Sequence, residues 1–565
     1  MPKALTSLTA VLTLVILTAL VYGHTLGYAF HFDDYYFITE NLKIREITDI
    51  GAIWHSLAKP SRFLGMFSFA LNYHFHGTDV TGYHLVNIFI HAVNGLLVYW
   101  FCRLTLGLGP RPARRPAAAA LFAAALFIVH PVNTQAVTYI AQRFAALATL
   151  FYLAAFYLYI RGRLSLSSGR RVSWWAGAAA CAVAGMFTKQ IVLTLPVMII
   201  LYEFCFLQRG RRFRLAWWQV AVFVGLFLLV PTLQSWDFGR LFKVAIQSRS
   251  HQGDALTWYT YMLTQFRVVP VYFRLMVFPV GQTLDYDFTA STNLWEHGTW
   301  AGALLVAAVF GYGIGRLRRD PLTGFGICWF FIAMGLESTF IPIYQVIFEH
   351  RCYLPSVGFV LALATAADRL FNCPRRQAAA MAVVVAVLAF TAHQRNKVWE
   401  SEESLWRDIM RKAPRKVRPY IHLGVAHLMK GEYDAAAEIL DAGIAIRQDN
   451  YRLYHNRGIV YEMQGNLKQA MWNYSKAIEL NKNSAVSLTN RAGLFGQIKR
   501  FDLAWGDYNA AIAADPDYGN AYLGRGNLLY GAKRYAEALK DFERAVALGV
   551  PIADEEIEKV RRLAP

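Results

Sequence analysis

Apolar runs recur through the first 393 residues, most of them long enough to cross a lipid bilayer as one helix. Eleven lie near 8–29, 85–104, 117–132, 144–160, 173–187, 190–207, 214–232, 298–315, 323–340, 353–370 and 377–393. Hydrocarbon offers no partner for a backbone N–H or C=O, so these runs must satisfy their own polar groups as α-helices. The expected fold class is all-α, beginning with a polytopic membrane bundle of about 11 spans. Hydrophobic residues make up 56% of the 565-residue chain, more than an ordinary soluble domain carries. The opening MPKALTSLTAVLTLVILTAL has the look of a signal peptide. No small-x-small site precedes the polar loop, so it is read as a retained first span.

The net charge of +19 raises the question of nucleic acid. Its distribution answers it. The arginines crowd into GPRPARRP, RGRLSLSSGRR, QRGRRFR, GRLRRD and DRLFNCPRR, short loops that alternate with less basic ones. That is the pattern of a positive-inside topology, without a basic stripe or an RNA-binding motif, and no nucleic-acid partner is expected. With all five loops in the cytoplasm, the first acidic loop and everything beyond residue 393 fall outside. The segment 258–279 is apolar but carries Arg267, Pro270 and Arg274. Counting it as a span would expel GRLRRD, so it is expected to lie on the outer surface, tucked against the bundle. The cysteines, Cys102, Cys181, Cys205, Cys328, Cys352 and Cys373, form no CxxC pair, and neither a zinc site nor a disulfide framework follows.

From Val417 the sequence repeats every 34 residues, in units 417–450, 451–484, 485–518 and 519–552. Ala436, Ala470, Ala504 and Ala538 share one position. Leu440, Tyr474, Tyr508 and Phe542 share another. Gly424, Gly458, Ala492 and Gly526 share a third. Small residues let two helices approach and the large one fills the gap between units, which is the tetratricopeptide pattern. Such arrays stack into a superhelix with a groove for a peptide or partner domain. The expected domains are a membrane domain 1–393, a linker and capping helix 394–416, four repeats 417–552 and a C-terminal cap 553–565.

Ionisable residues collect near the outer span ends. Asp33 and Asp34 follow the first span in FHFDDYYF, and Arg62 lies in KPSRFL. His130 and Arg143 bracket LFIVHPVNTQAVTYIAQR, and Lys189 sits in MFTKQ. Asp285 and Asp287 lie in LDYDF, and Glu349, His350 and Arg351 form EHR. By itself the acidic pair fits a helix-end turn as well as a site. A carboxylate pair can also supply a general base, while Arg, Lys and His can hold a phosphate leaving group. Neither GxxxxGK[ST] nor a Gly-rich strand-to-helix turn is present, so the activated group is expected on a lipid phosphate.

FDDYYFITEN after the first span resembles the acidic motif of the GT-C membrane glycosyltransferases. SRFLGMFSFALNYHFHGTDVTGYHLVNIFIHAVNGLLVYW, FTKQIVLTLPVMIILYE, LMVFPVGQTLDYDF and FEHRCYLPSVGFVLAL, followed by the repeats, resemble the TMTC-type protein O-mannosyltransferases and their bacterial relatives. The resemblance implies inverting transfer of a monosaccharide from a polyprenyl-phosphate carrier to a protein Ser or Thr. It makes Asp33 the general base, with Asp34 in support. Arg62 matches the arginine of a YRPL-like segment that here reads SRFL, without the Tyr and Pro. On charge and topology as much as resemblance, Arg143, Lys189, His350 and Arg351 are expected at the carrier phosphate. His130, Asp285, Asp287 and Glu349 are further cavity candidates. No metal and no cofactor are expected. The partners are the lipid-linked sugar, an acceptor protein at the repeats and the bilayer. The short Arg-rich loops point to a bacterial inner membrane with the site and repeats in the periplasm. Two other readings compete: a lipid-diphosphate-oligosaccharide ligase or polymerase, whose key residues would sit in a late outer loop, and a non-enzymatic repeat scaffold.

Overall fold

The computed structural model describes residues 3–56, 62–108, 111–209, 225, 247–249, 255–339, 342–343 and 345–564. The chain divides into two compact units, Met1–Leu405 and Trp406–Pro565. The division falls inside the segment 394–416 expected as a linker. Helices dominate both units. The addition to the all-α expectation among the described residues is a short antiparallel ribbon, Gln247–Arg249 against Ala255–Thr257.

Six of the expected spans are helices long and apolar enough to cross a membrane: Leu8–Thr25, Val80–Leu106, Ile140–Leu164, Gln190–Leu207, Glu296–Arg316 and Pro374–Trp399. The run at 117–132 is a bent pair, Pro116–Val129 and Pro131–Thr138, turned by 50°. Pro131 lacks the N–H that would continue the helix, and His130 is pushed to extended backbone before it. The run at 323–340 forms a 14-residue apolar helix, Pro321–Met334. Those at 173–187 and 353–370 form Ser168–Met186 and Pro355–Leu370, neither of which is a long apolar span. The run at 214–232 lies outside the described residues. Among the described residues, six of the eleven expected spans are thus long apolar helices, or seven if the bent pair is one span.

The five basic loops meet at one end of this unit. Arg163 pairs with Glu203 (2.5 Å), and Gln208 donates to the same carboxylate (2.8 Å). Arg209 donates to the Arg318 carbonyl (2.7 Å). Asp320 accepts from Arg369 (2.8 Å), and Asp368 accepts from the backbone N–H of Arg114 and Arg115 (2.6 and 3.1 Å). Helices leaving this end carry the site candidates at their other end. Arg143 opens the helix Arg143–Leu164, whose last turn holds Arg163, and at about 1.5 Å per residue the two lie roughly 30 Å apart. Between the ends, Phe101, Phe156, Tyr202, Phe325 and Trp329 pack as an aromatic core. Gly326 and Gly358 bring two helices together backbone to backbone, since a Cβ on Gly358 would sit 2.3 Å from the Gly326 carbonyl oxygen.

The segment 258–279 forms the helix Trp258–Val277, opened by a capping box in which Thr257 and Thr260 bond each other's backbone N–H. Tyr261 in its first turn donates to the Glu337 carbonyl (2.5 Å), and the Met276 carbonyl in its last turn faces His130 (2.9 Å). Both ends thus meet residues at the site end of the bundle, and the helix runs along that end. Arg267 spends its charge on the Thr289 carbonyl (2.9 Å) and Ser291 (3.1 Å), stacked over Phe288.

The repeat unit pairs Arg418–Met429 with Tyr433–Ile446, Tyr451–Met463 with Leu467–Leu480, Ala485–Gln497 with Phe501–Ala514 and Gly519–Gly531 with Tyr535–Ala547, closed by Asp554–Leu563. A Cβ at Gly458 would meet the Tyr474 ring at 2.6 Å, and one at Gly526 the Phe542 ring at 2.7 Å, so the small–large pattern is a packing rule. A ladder of arginines crosses the junctions. Arg491 holds Asp507 in its own repeat (2.7 and 2.9 Å) and Ser475 in the one before (3.2 Å). Arg525 holds Asp541 (2.8 Å) and Asn509 (2.6 Å) in the same way. Arg457 holds Asn473 (2.8 Å) and Asp441.

Candidate active site

The acidic pair is set by the backbone before it. Phe32 has φ of 53°, a left-handed conformation that is strained for a residue with a Cβ. The turn sends the two neighbouring carboxylates into different surroundings. Asp34 is fully buried and accepts from the backbone N–H of His31 (2.9 Å) and Ala141 (2.6 Å). Burial pushes its carboxyl well above the usual range, opposed by those two N–H groups. Asp33 is half-buried, and its backbone N–H donates to the Tyr139 hydroxyl (3.0 Å). Tyr139 is stacked on Trp399 with ring centroids 5.3 Å apart. Asp34 therefore acts as a bolt between the first outer segment and residue 141, and Asp33 is the less buried of the two carboxylates.

A group of cations gathers about Glu337, and one of them, Arg62, also acts on Asp33. Lys189 forms an ion pair with Glu337 (2.7 Å), both side chains nearly buried. Burial favours the neutral acid at Glu337, but Lys189, then Arg351, and Arg62 outweigh it and hold its carboxyl below the usual range. Burial lowers Lys189, against the pull of Glu337. Arg62 lies over the Phe144 ring (5.1 Å), within electrostatic reach of Glu337 and Asp33, and its buried Nε has no hydrogen-bond partner among the described residues. Arg351 is buried and donates to the Tyr261 hydroxyl (3.2 Å) and to the Val346 and Gln345 carbonyls (3.1 and 2.6 Å). His350 donates its backbone N–H to Gln135 (2.7 Å), and its ring Nδ1 is buried without a partner. Burial and then Lys189, Arg351 and Arg62 drive its imidazole well below the ordinary histidine range, so it is neutral near pH 7.

Four expectations change. Arg143 is fully buried, but its guanidinium donates to Asn87 (2.7 Å), Asn72 (2.6 Å) and the Ser68 and Tyr83 carbonyls (3.1 and 2.9 Å), stacked over Phe69. It fastens two helices instead of facing a phosphate. His130 uses both ring nitrogens, on the Met276 carbonyl (2.9 Å) and the Val132 N–H (3.2 Å), to hold the bend before Pro131. Glu349 accepts from Gln282 (2.7 Å), the Thr283 N–H (2.8 Å) and Tyr286 (2.6 Å), which anchors the loop of LDYDF. In that loop Asp285 is buried and Asp287 is exposed. Glu337 was not among the expected residues. It stands in GLEST, without a motif around it, and a lone acid just past an apolar helix was the signal available.

Comparison with known proteins matches the tetratricopeptide repeat family to residues 451–484, the second of the four units. The chain is 24% identical over 506 residues to "Protein O-mannosyl-transferase Tmtc3" of Drosophila melanogaster, covering 78% of this chain and 51% of that protein. It is 24% identical over 522 residues to "Protein O-mannosyl-transferase TMTC3" of Mus musculus, covering 83% and 54%. "Protein O-mannosyl-transferase TMTC4" of Homo sapiens matches at 24% over 487 residues, covering 72% and 62%. The chain thus resembles TMTC-type protein O-mannosyl-transferases over most of its length, and spans about half the length of the first of these relatives. Among solved structures, "Crystal structure of MamA" aligns at 21% identity over 28% of this chain and 89% of that one, with a TM-score of 0.24.

Proposed function

We propose that this chain is a membrane glycosyltransferase that moves a monosaccharide from a polyprenyl-phosphate carrier to a Ser or Thr hydroxyl of a protein. The observation that carries the reading is the half-buried Asp33, on a strained turn, within electrostatic reach of Arg62, which with Lys189 and Arg351 acts on Glu337. The relatives' names supply the class of reaction.

In the proposed step Asp33 takes the proton of the acceptor hydroxyl as its oxygen attacks the anomeric carbon. The bond from that carbon to the phosphate oxygen breaks, the electron pair leaves with the phosphate, and the configuration inverts. The cations stabilise the charge that grows on the leaving phosphate in a site where water is scarce. Asp34 keeps Asp33 in position through its hold on Ala141. The repeats collect the acceptor protein. The gathering of all five basic loops at the far end supports a site on the outer, periplasmic side of a bacterial inner membrane.

The test is a purified, detergent-solubilised assay with a polyprenyl-phosphate sugar and a Ser/Thr peptide. The expected result is an inverted glycosyl-peptide and free polyprenyl phosphate in equal amounts. Turnover of a lipid-diphosphate oligosaccharide instead would replace this reading by the ligase one. Deleting residues 417–565 is expected to reduce transfer to protein more than binding of the lipid donor.

A further inference from the structure

We propose that Glu337 sets the charge of the donor site, so that it fits a ligand with a single phosphate charge and discriminates against one with two. The inference rests on the donor reading above and adds a specificity-determining residue to it.

Among the described residues, Lys189 pairs with Glu337 at 2.7 Å, Arg351 reaches the same residue through Tyr261, and Arg62 acts on both Glu337 and Asp33. His350 adds a neutral ring. Counted over these described residues, the three cations and two carboxylates leave one positive charge in excess. Two buried polar atoms without partners, Arg62 Nε and His350 Nδ1, mark it as built for a further ligand. A glycosyl phosphodiester carries one negative charge and completes the balance. A phosphomonoester carries about 1.5 to 2 negative charges near pH 7, and its excess would have to be buried next to Glu337. Lys189 holds Glu337 at 2.7 Å, so that carboxylate is a fixed part of the wall and subtracts its charge before any ligand arrives.

The experiment compares two probes of nearly equal shape, farnesyl methyl phosphate and farnesyl phosphate, by equilibrium binding to the full chain in detergent at pH 7.5. Wild type is expected to favour the diester relative to its Glu337→Gln variant. That variant should shift the ratio of affinities towards the monoester by roughly tenfold or more. Glu337→Asp should hold the wild-type ratio. The double variant Lys189→Gln/Glu337→Gln removes one charge of each sign and should return the ratio towards wild type; it also serves if the single variant fails to fold. An unchanged ratio in Glu337→Gln, with wild type binding both probes, overturns the role of Glu337 alone. Wild type that binds neither probe overturns the donor reading and this proposal with it.

Discussion

Arg457, Arg491 and Arg525 in the repeats each hold a polar partner in two successive units, whereas Arg62, Lys189 and Arg351 in the membrane unit converge on Glu337. The groups are chemically alike. In the repeats each charge is matched, by an acid in its own repeat for Arg491 and Arg525 or in the preceding one for Arg457, so the arginines serve as fasteners. Near Glu337 the cations outnumber the acids, and a buried guanidinium nitrogen is left without a partner. Keeping surplus charge away from water is costly, and a structure that keeps it reserves it for something that arrives later. Arg143 shows that burial alone does not make the distinction. It is as buried as any cation in the chain, yet its donors are engaged by Asn72, Asn87 and two carbonyls.

Substitutions separate the two kinds of charge, beginning with the largest effect. Asp33→Asn should lower transfer by roughly 10²–10⁴-fold, the range for loss of a general base, while farnesyl methyl phosphate still binds. Full activity in that variant would remove Asp33 from the chemistry. Arg143→Met should cost about 3–5 kcal/mol of stability because it strands Asn72, Asn87 and two carbonyls, and thermal unfolding in detergent reads it directly. Arg62→Gln should do the reverse: unfolding close to wild type, but binding of the diester roughly tenfold weaker or more. If Arg62→Gln unfolds as readily as Arg143→Met, the division between fasteners and ligands fails.

Arg491→Ala should loosen one junction of the repeats by about 1 kcal/mol, seen as faster amide exchange in 467–514 with catalysis of small hydroxyl acceptors unchanged. The smallest effect is on pH dependence. His350 is already neutral at pH 7 and gains its proton only well below the ordinary histidine range. His350→Gln should therefore leave the activity between pH 6 and 8 with the same shape. A new or lost step near pH 6.5 in that variant would mean that the ring titrates in the working site.

The repeats were legible because their signal is local and periodic: a small residue, Gly or Ala, at one position answers a large one, Leu, Tyr or Phe, at another within the same unit, and the chain prints that pairing four times. The basic loops were legible for a similar reason, since topology acts on composition. The cation group proposed as the donor site was legible only in part. Lys189, His350 and Arg351 do fall together with Arg62, but Arg143, His130 and Glu349 carry the same kinds of side chain at the same kinds of position and are consumed by the frame. What separates the two sets is whether a carbonyl or amide from a distant segment has already taken the donors, and sequence spacing holds no record of that. Glu337 was missed on the same ground, because its meaning lies in Lys189, which sits about 150 residues earlier in the chain, in the extended turn after Ser168–Met186. Hydropathy also did not show that the run at 117–132 is bent at Pro131.

Because each rung of the arginine ladder is tied to two repeats, a bend at one junction stretches its rung before it disturbs the apolar seam beneath. Small changes of curvature are resisted by polar springs and large ones by packed side chains. The springs are partly open to solvent, so salt softens them, whereas the seams do not respond. Such an array flexes without slipping a register.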